Sequence, residues 1–330
     1  MPCKERRART MMAKGRAKPY WKDGIFCIVL QEEPFTRKYQ KVVIGIDPGT
    51  KREGITVTTE QRVVMNITSN AITHIKDKIE LRRIFRRSRR QRKNPYRKCR
   101  RNRKNTYKEG RVVPSIKSRW DAKLRIVKKL KEILPITDIS VEDVAARTIK
   151  HSKNWNTLFS TLEYGKTYFY TNLYKMGFNI CKWEGFDTYN WRTNAGYKKT
   201  SKKLKDLWDA HNVDSHCLCE MLLGHRIEPI KIMYRIIFFC PMRRNLFKKS
   251  TLKGGVRRRD GGSISLGLKK YTLVRHPKHG LSIVGGNMKG RLSLHDIHTN
   301  KRLAQNIKIS DITIVSYNLK WYLKPIVCNH

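Results

Sequence analysis

The chain is poor in acid. Its 330 residues hold 26 Asp and Glu against 73 Lys and Arg, a formal charge of +47 with His neutral. Such an excess repels itself, and only a polyanion of comparable size relieves it, so a substantial length of nucleic acid is the expected partner. Long apolar runs are missing too. No stretch of about 18 apolar residues occurs, which excludes a transmembrane helix and a membrane partner of that kind. The basic stretch from Met1 to Lys18 lacks the apolar centre of a secretory signal. Eight cysteines are present but no Cys-x-x-Cys pair. A zinc ribbon is therefore not expected, and reduced thiols in the cytoplasm are, with association to the nucleoid when DNA is bound. Cys217-x-Cys219 reads as part of a buried helix rather than a metal site.

What is there suffices for a packed core, with 39% hydrophobic residues. Residues 1–40 form a small basic segment, with a cationic helix over Arg6–Lys18 and a strand at Ile25–Leu30. Val42–Ile46 is an apolar strand ending in the turn Asp47-Pro48-Gly49-Thr50; Gly54–Thr58 and Val63–Ile67 follow as strands of an antiparallel meander. The composition then changes. Residues 82–104 hold fourteen Arg or Lys among 23 and no acid. Ile72, Ile75, Ile79 and Leu81 lead into this run at helical spacing, so one long helix begins apolar and becomes cationic on every side before Asn94-Pro95 breaks it. A helix charged all round cannot enter a core; it needs an anionic surrounding.

Beyond Pro114 the pattern is globular. Trp120, Leu124, Val127, Leu130 and Leu134 predict an amphipathic helix. Asp138–Glu142 and Phe178–Trp183 read as strands, and residues 154–177 and Leu204–Leu223 as helices. The chain from about residue 235 is rich in glycine and β-formers, with strands at Tyr271–Val274, Leu281–Val284 and Ile312–Val315, and is expected to form a small barrel. No internal repeat is visible.

In so basic a chain the position of each acid matters. Asp47 ends a buried-type strand, Glu142 ends a second, and Asp214 lies on a helix three residues after His211, which would put both on one side. Two strand acids and a helix acid suit a two-metal phosphodiester nuclease: hard Mg²⁺ ions take carboxylate oxygens, and two of them about 4 Å apart can activate a water and stabilise the leaving oxygen. His211 could orient or deprotonate that water. Simpler readings stand beside this one. Asp47 before Pro-Gly could be a turn residue, or part of a phosphate loop of the sugar-kinase type. Asp143 rivals Glu142, while Asp206 and Asp209 rival Asp214.

Together, Ile44-Gly45-Ile46-Asp47-Pro48-Gly49-Thr50, the Arg86-Arg87-Ser88-Arg89-Arg90 string, Val141-Glu142 and His211-Asn212-Val213-Asp214 resemble a split RuvC nuclease with a bridge helix. This is the plan of the transposon-encoded IscB-like proteins, RNA-guided nucleases of the OMEGA systems and relatives of the large CRISPR effectors. Met1-Pro2-Cys3 with Ala13–Ala17 resembles the end of their PLMP domain. Lys253–Arg257 and Gly285–Ser293 resemble their target-interaction region. Glu142 and Asp214 lie 72 positions apart (214 − 142), which leaves no room for an inserted HNH domain, so the chain is similar to the compact, RuvC-only IsrB type.

The resemblance implies an α/β (α+β) fold with a split RNase H-like RuvC core. Its parts would be a PLMP-like domain at 1–40, RuvC segments at 41–68, 111–150 and 151–234, a bridge helix at 69–110, and a β-rich target-interaction domain at 235–330. It implies a monomeric RNA-guided DNA nickase. A long structured guide RNA, the ωRNA, pairs with one strand of a double-stranded target beside a short flanking motif, and RuvC cuts the displaced strand. Asp47, Glu142 and Asp214 would hold two Mg²⁺ ions, with Mn²⁺ as the substitute, and His211 would complete the catalytic set. Arg82, Arg83, Arg86, Arg87, Arg89, Arg90, Arg92, Lys93, Arg97, Arg100, Arg101 and Arg103 would lie against phosphates, and Arg257, Arg258 and Arg259 would hold nucleic acid in the last domain. Two departures are visible. The family has a further strand before the motif that here begins at Met1, so either the first domain is trimmed or its start lies upstream. Ser215 stands where the family has Ala, a change expected to be tolerated. The competing readings are a catalytically inert binder of the same fold, and a non-guided nuclease or ribosome-associated RNA-binding protein.

Overall fold

The computed structural model describes residues 3–22, 25–33, 40–49, 51–93, 112–144, 161–202, 205–238, 264–317 and 321–326. The chain falls into two compact units: residues 38–233 with the last five residues and the first two, and residues 3–37 with 234–325. No described helix is long and apolar enough to cross a membrane.

The second unit begins with α1 (Glu5–Ala13), β1 (Ala17–Lys22) and β2 (Ile25–Leu30), the last two an antiparallel hairpin. The cationic helix thus stops at Ala13, short of the expected Lys18, because the chain from Ala17 pairs with Leu30 instead.

The first unit is a mixed sheet covered by helices. Its strands are β3 (Val42–Asp47), β4 (Arg52–Thr59), β5 (Val63–Asn70), β6 (Asp138–Glu142) and β7 (Asn179–Trp183), in the order β5-β4-β3-β6-β7. The meander β3-β4-β5 is antiparallel, whereas β6 runs parallel to β3 and β7 parallel to β6. A three-stranded meander extended on its first strand by two parallel strands is the RNase H-like α/β fold. The helices are α2 (Ile75–Lys93), α3 (Pro114–Lys131), α4 (Thr161–Lys175), α5 (Gly185–Asn194), α6 (Trp208–His211) and α7 (Val213–Leu223).

Strand alternation sorts the helices onto faces. On β4, Gly54 and Thr56 meet α6 and α7, while Glu53 points the other way to α3. There Lys123 Nζ donates to Glu53 Oε1 at 2.6 Å, both side chains almost fully buried. Ser69 adds a hydrogen bond to the same carboxylate at 3.4 Å. A buried pair of this kind tolerates loss of neither partner. The rest of that face is apolar: Leu124, Ile126, Val127 and Leu130 of α3 are buried, and Trp120 packs on Phe169 of α4 with centroids 4.8 Å apart.

Leu204–Leu223 is not one helix. The chain breaks at Asn212, which ends α6 and starts α7 with φ −108° and ψ −8°. Its amide is drawn to the sheet instead, donating to the carbonyls of Ile55 and Ile67, each at 3.2 Å. The expectation that His211 and Asp214 share a helix face is therefore corrected: they sit on either side of this break.

The remaining strands, which apart from Met233 and Ile326 belong to the second unit, are β8 (Met233–Phe238), β9 (Ile264–Ser265), β10 (Leu268–Lys269), β11 (Leu273–His276), β12 (Gly280–Met288), β13 (Arg291–His295), β14 (Arg302–Ile307), β15 (Thr313–Ser316) and β16 (Trp321–Ile326). Strands β14-β13-β12-β11-β15 form an antiparallel sheet in that order. Leu273 and Ile283 core one side, and Val274, Val284, Leu292 and Leu294 core the other. With β14 and β15 at its edges, this is an open sheet among the described residues, not the expected barrel.

Candidate active site

Gly45 and Asp47 lie two apart on β3 and so share a face. Both point at α7. A Cβ on Gly45 would lie 2.0 Å from the Ser215 carbonyl oxygen, and one on Gly54 would lie 1.7 Å from that of His211. Two side-chain-free positions therefore let the backbone of α6 and α7 rest directly on β3 and β4. Ser215 fixes the contact. Its Oγ is 2.7 Å from Thr56 Oγ1, which donates to Asn66 Oδ1 at 3.0 Å, and all three residues are buried. The Ser found where the resembled family has Ala thus fills a hydrogen-bonding role.

Register does the rest. Ile46 of β3 pairs with Val141 of the parallel β6, so Asp47 and Glu142 end adjacent strands at the same edge. Asp214, in the first turn of α7, is brought down beside them. One ligand oxygen from each of Asp47, Glu142 and Asp214 lies within 4.8 Å of the others. Three carboxylates so close cannot all stay ionised without a cation. Burial, then the facing Glu142 and Asp214, push Asp47 well above the usual aspartate range. Burial likewise raises Glu142, and Asp47 shares a hydrogen bond with it. Hard oxygen donors at this spacing fit Mg²⁺ or Mn²⁺.

Asp214 already has partners. Arg192 Nη1 lies 2.5 Å from its Oδ1, and Lys199 Nζ bonds Oδ2. Arg192 is on α5, which α7 holds through buried Glu220: Trp191 Nε1 donates to it at 2.8 Å, Tyr197 Oη at 2.9 Å and the Ile227 amide at 2.9 Å. Sequence reading missed α5, Arg192 and Lys199. The signal for α5 was the reciprocal cap of Glu184 and Asp187, an acidic form of the capping box. Nothing local marks Lys199 among so many lysines.

His211 is buried, but it is not among the groups whose ligand atoms meet at the carboxylates. Its Nε2 lies 2.9 Å from the Lys205 carbonyl, which can only accept, so Nε2 carries the proton and Nδ1 the lone pair. Burial lowers its pKa, the Lys205 bond opposes this, and the nearby charges of Arg52 and Lys199 lower it further. Two of the three rival acids, Asp206 and Asp143, are engaged elsewhere. Asp206 pairs with Arg52 at 2.5 Å, and Asp143 with Lys166 at 2.6 Å. Cys217 and Cys219 are fully buried on α7.

The arginine run is helical from Ile75 to Lys93. Every side chain described between Lys76 and Gln91 is exposed, Ile84 and Phe85 included. Arg82, Arg83, Arg86, Arg87 and Arg90 therefore face solvent. Arg89, Arg92 and Lys93 lie on the same helix, their side chains outside the described set. Arg97, Arg100, Arg101, Arg103, Arg257, Arg258 and Arg259 fall outside the described residues altogether.

On this RNase H-like sheet three acids meet, Asp47 and Glu142 at the ends of β3 and β6 and Asp214 in the first turn of α7. The chain belongs to the family described as RRXRR protein, whose profile matches residues 1–165, half of the sequence. A comparison with curated proteins returns no match. Among solved structures, the chain is similar to T. thermophilus RuvC in complex with a Holliday junction substrate, with 12% identity over 58% of this chain and 83% of that one and a TM-score of 0.27. Thermus thermophilus RuvC alone gives 12% identity over 57% and 84%, with a TM-score of 0.27. CRISPR-Cas12f in a ternary complex gives 14% identity over 65% of this chain and 47% of that one, with a TM-score of 0.28.

Proposed function

We propose that the chain is an RNA-guided DNA nickase of the IsrB type. A guide RNA, the ωRNA, pairs with one strand of a double-stranded target beside a short flanking motif, and the carboxylate site cuts the displaced strand. The observation that carries this reading is the meeting of Asp47, Glu142 and Asp214 within 4.8 Å in a chain that also displays a solvent-facing arginine helix. The three carboxylates would hold two Mg²⁺ ions, with Mn²⁺ as a substitute, which when bound supply an activated water and charge for the leaving oxygen. His211 would take up the water's proton on Nδ1, the nitrogen its bond to Lys205 leaves unprotonated. Arg82 to Arg103 would track phosphates of the guide and of the hybrid, where a planar guanidinium binds two oxygens at once. Residues 1–40 would be the PLMP-like part and 235–330, with Arg257 to Arg259, the target-interaction part. The protein would act as a monomer on RNA and DNA in the cytoplasm.

Sequencing the RNA that co-purifies with the protein, expressed with its flanking genomic DNA, tests the reading. One discrete structured RNA ending in a variable segment is expected. A smear of ribosomal and transfer RNA would reduce the arginine helix to a general polyanion binder and remove the guided mechanism.

A further inference from the structure

Both carboxylate oxygens of Asp214 carry a cation, Arg192 on Oδ1 and Lys199 on Oδ2. The Asp214 side chain is only 4% exposed, so water cannot easily replace either partner. The two cations are supported differently. Arg192 belongs to α5, which Glu220 clamps to α7 through Trp191, and its guanidinium carbon lies 5.4 Å from the centre of the Tyr189 ring. Lys199 stands in the irregular segment between α5 and α6, on a side chain 36% exposed. Its charge also favours the ionised forms of Asp47 and Glu142, while Arg192 acts in the same way on Glu142.

We propose that the Lys199 ammonium is a tethered stand-in cation for the carboxylate cluster, holding Asp214 beside Asp47 and Glu142 in the metal-free protein and leaving Oδ2 when a divalent ion binds. Three acids within 4.8 Å repel one another, and a cation among them keeps the site assembled. A lysine suits a partner that must leave: it is a compact charge on a flexible stem, whereas the planar arginine fork is preorganised and fixed by its helix. A divalent ion brings twice the charge to the same oxygens and displaces the monovalent one, whose exposed stem lets it swing toward solvent. Lys199 is therefore a positioning residue that sets metal affinity by competition, and its removal should strengthen metal binding. A merely structural salt bridge would do the reverse.

The inference rests on the carboxylates being the metal site, and the test separates the two. Free Mn²⁺ is titrated into the full-length protein without nucleic acid, at fixed ionic strength, and followed by electron paramagnetic resonance. Lys199→Met, which keeps the stem and loses the charge, is expected to bind Mn²⁺ about tenfold more tightly, the scale of one charge-assisted contact. Lys199→Gln should shift in the same direction, and Lys199→Arg, which keeps the charge on a fork that leaves less readily, should bind Mn²⁺ no more tightly than wild type. Affinity unchanged or weakened in both uncharged variants overturns the proposal. Asp47→Ala calibrates the site: if it loses Mn²⁺ while Lys199→Met gains nothing, only the stand-in role fails. If Asp47→Ala keeps wild-type affinity, the metal site and the role of Lys199 fall together.

Discussion

Asp47 ends a strand whose five preceding residues are buried, whereas Arg86 sits in a helix whose described side chains from Lys76 to Gln91 all face solvent. The carboxylate is placed by close backbone approach, strand register and a hydrogen-bonded chain from Ser215 through Thr56 to Asn66, so several independent contacts agree on where it lies. The arginine helix has no such support. Its apolar members Ile84 and Phe85 are as exposed as its charges. One region is built to be exact without a ligand, and the other is built to be completed by one. Damage to the first should therefore appear in chemistry and stability, and damage to the second in nucleic-acid binding alone.

The sharpest break in that comparison comes from the carboxylates. Asp47→Ala or Asp214→Asn should lower divalent-ion-dependent strand cleavage by roughly a hundredfold to a thousandfold or more, the scale on which removing one charge-stabilising group acts. RNA affinity, measured on the same preparations, should not change. Gly45→Ala comes next. The added methyl meets the Ser215 carbonyl, a backbone atom that cannot step aside. Overpacking here should cost about 1–3 kcal/mol in chemical denaturation and lower cleavage by shifting Asp214. The helix should behave in the opposite way. Replacing Arg86, Arg87 and Arg90 together with Gln should leave the melting temperature undiminished while reducing the slope of log affinity against log salt for RNA by about 2.

The smallest effect concerns the metal-free protein. Asp47 is held above the usual aspartate range, so its ionised form costs stability. That cost is absent below the unfolded-state pKa and grows as pH rises from there through the raised folded value. Asp47→Asn should therefore stabilise the metal-free chain by about 1 kcal/mol at neutral pH, with the advantage vanishing toward acid pH. A stabilisation that persists in acid would mean that something other than charge is relieved.

How much of this was legible in the sequence follows from the same contrast. The meander, and β6 and β7 as strands, were readable because β3 is an apolar run and β4 and β6 alternate apolar with polar residues; the strand-end positions of Asp47 and Glu142 came with them. The arginine helix was readable from composition alone. What stayed hidden was long-range. No local pattern says that Gly45 and Gly54 exist to receive carbonyls from residues more than 150 positions away, that Asn212 breaks its helix to reach Ile55 and Ile67, or that Lys199 reaches Asp214. Helical periodicity over Leu204–Leu223 placed His211 and Asp214 on one face, and a single side-chain amide drawn to the sheet undid it.

The most direct test is plasmid nicking by the purified ribonucleoprotein, with the variable segment of its RNA rewritten to match a chosen site. The account predicts a single nick in the strand the RNA does not pair with. It should require a divalent ion, move when the RNA is rewritten again, and be absent in Asp47→Ala. Nicking that ignores the RNA sequence, or that survives in Asp47→Ala, would contradict it.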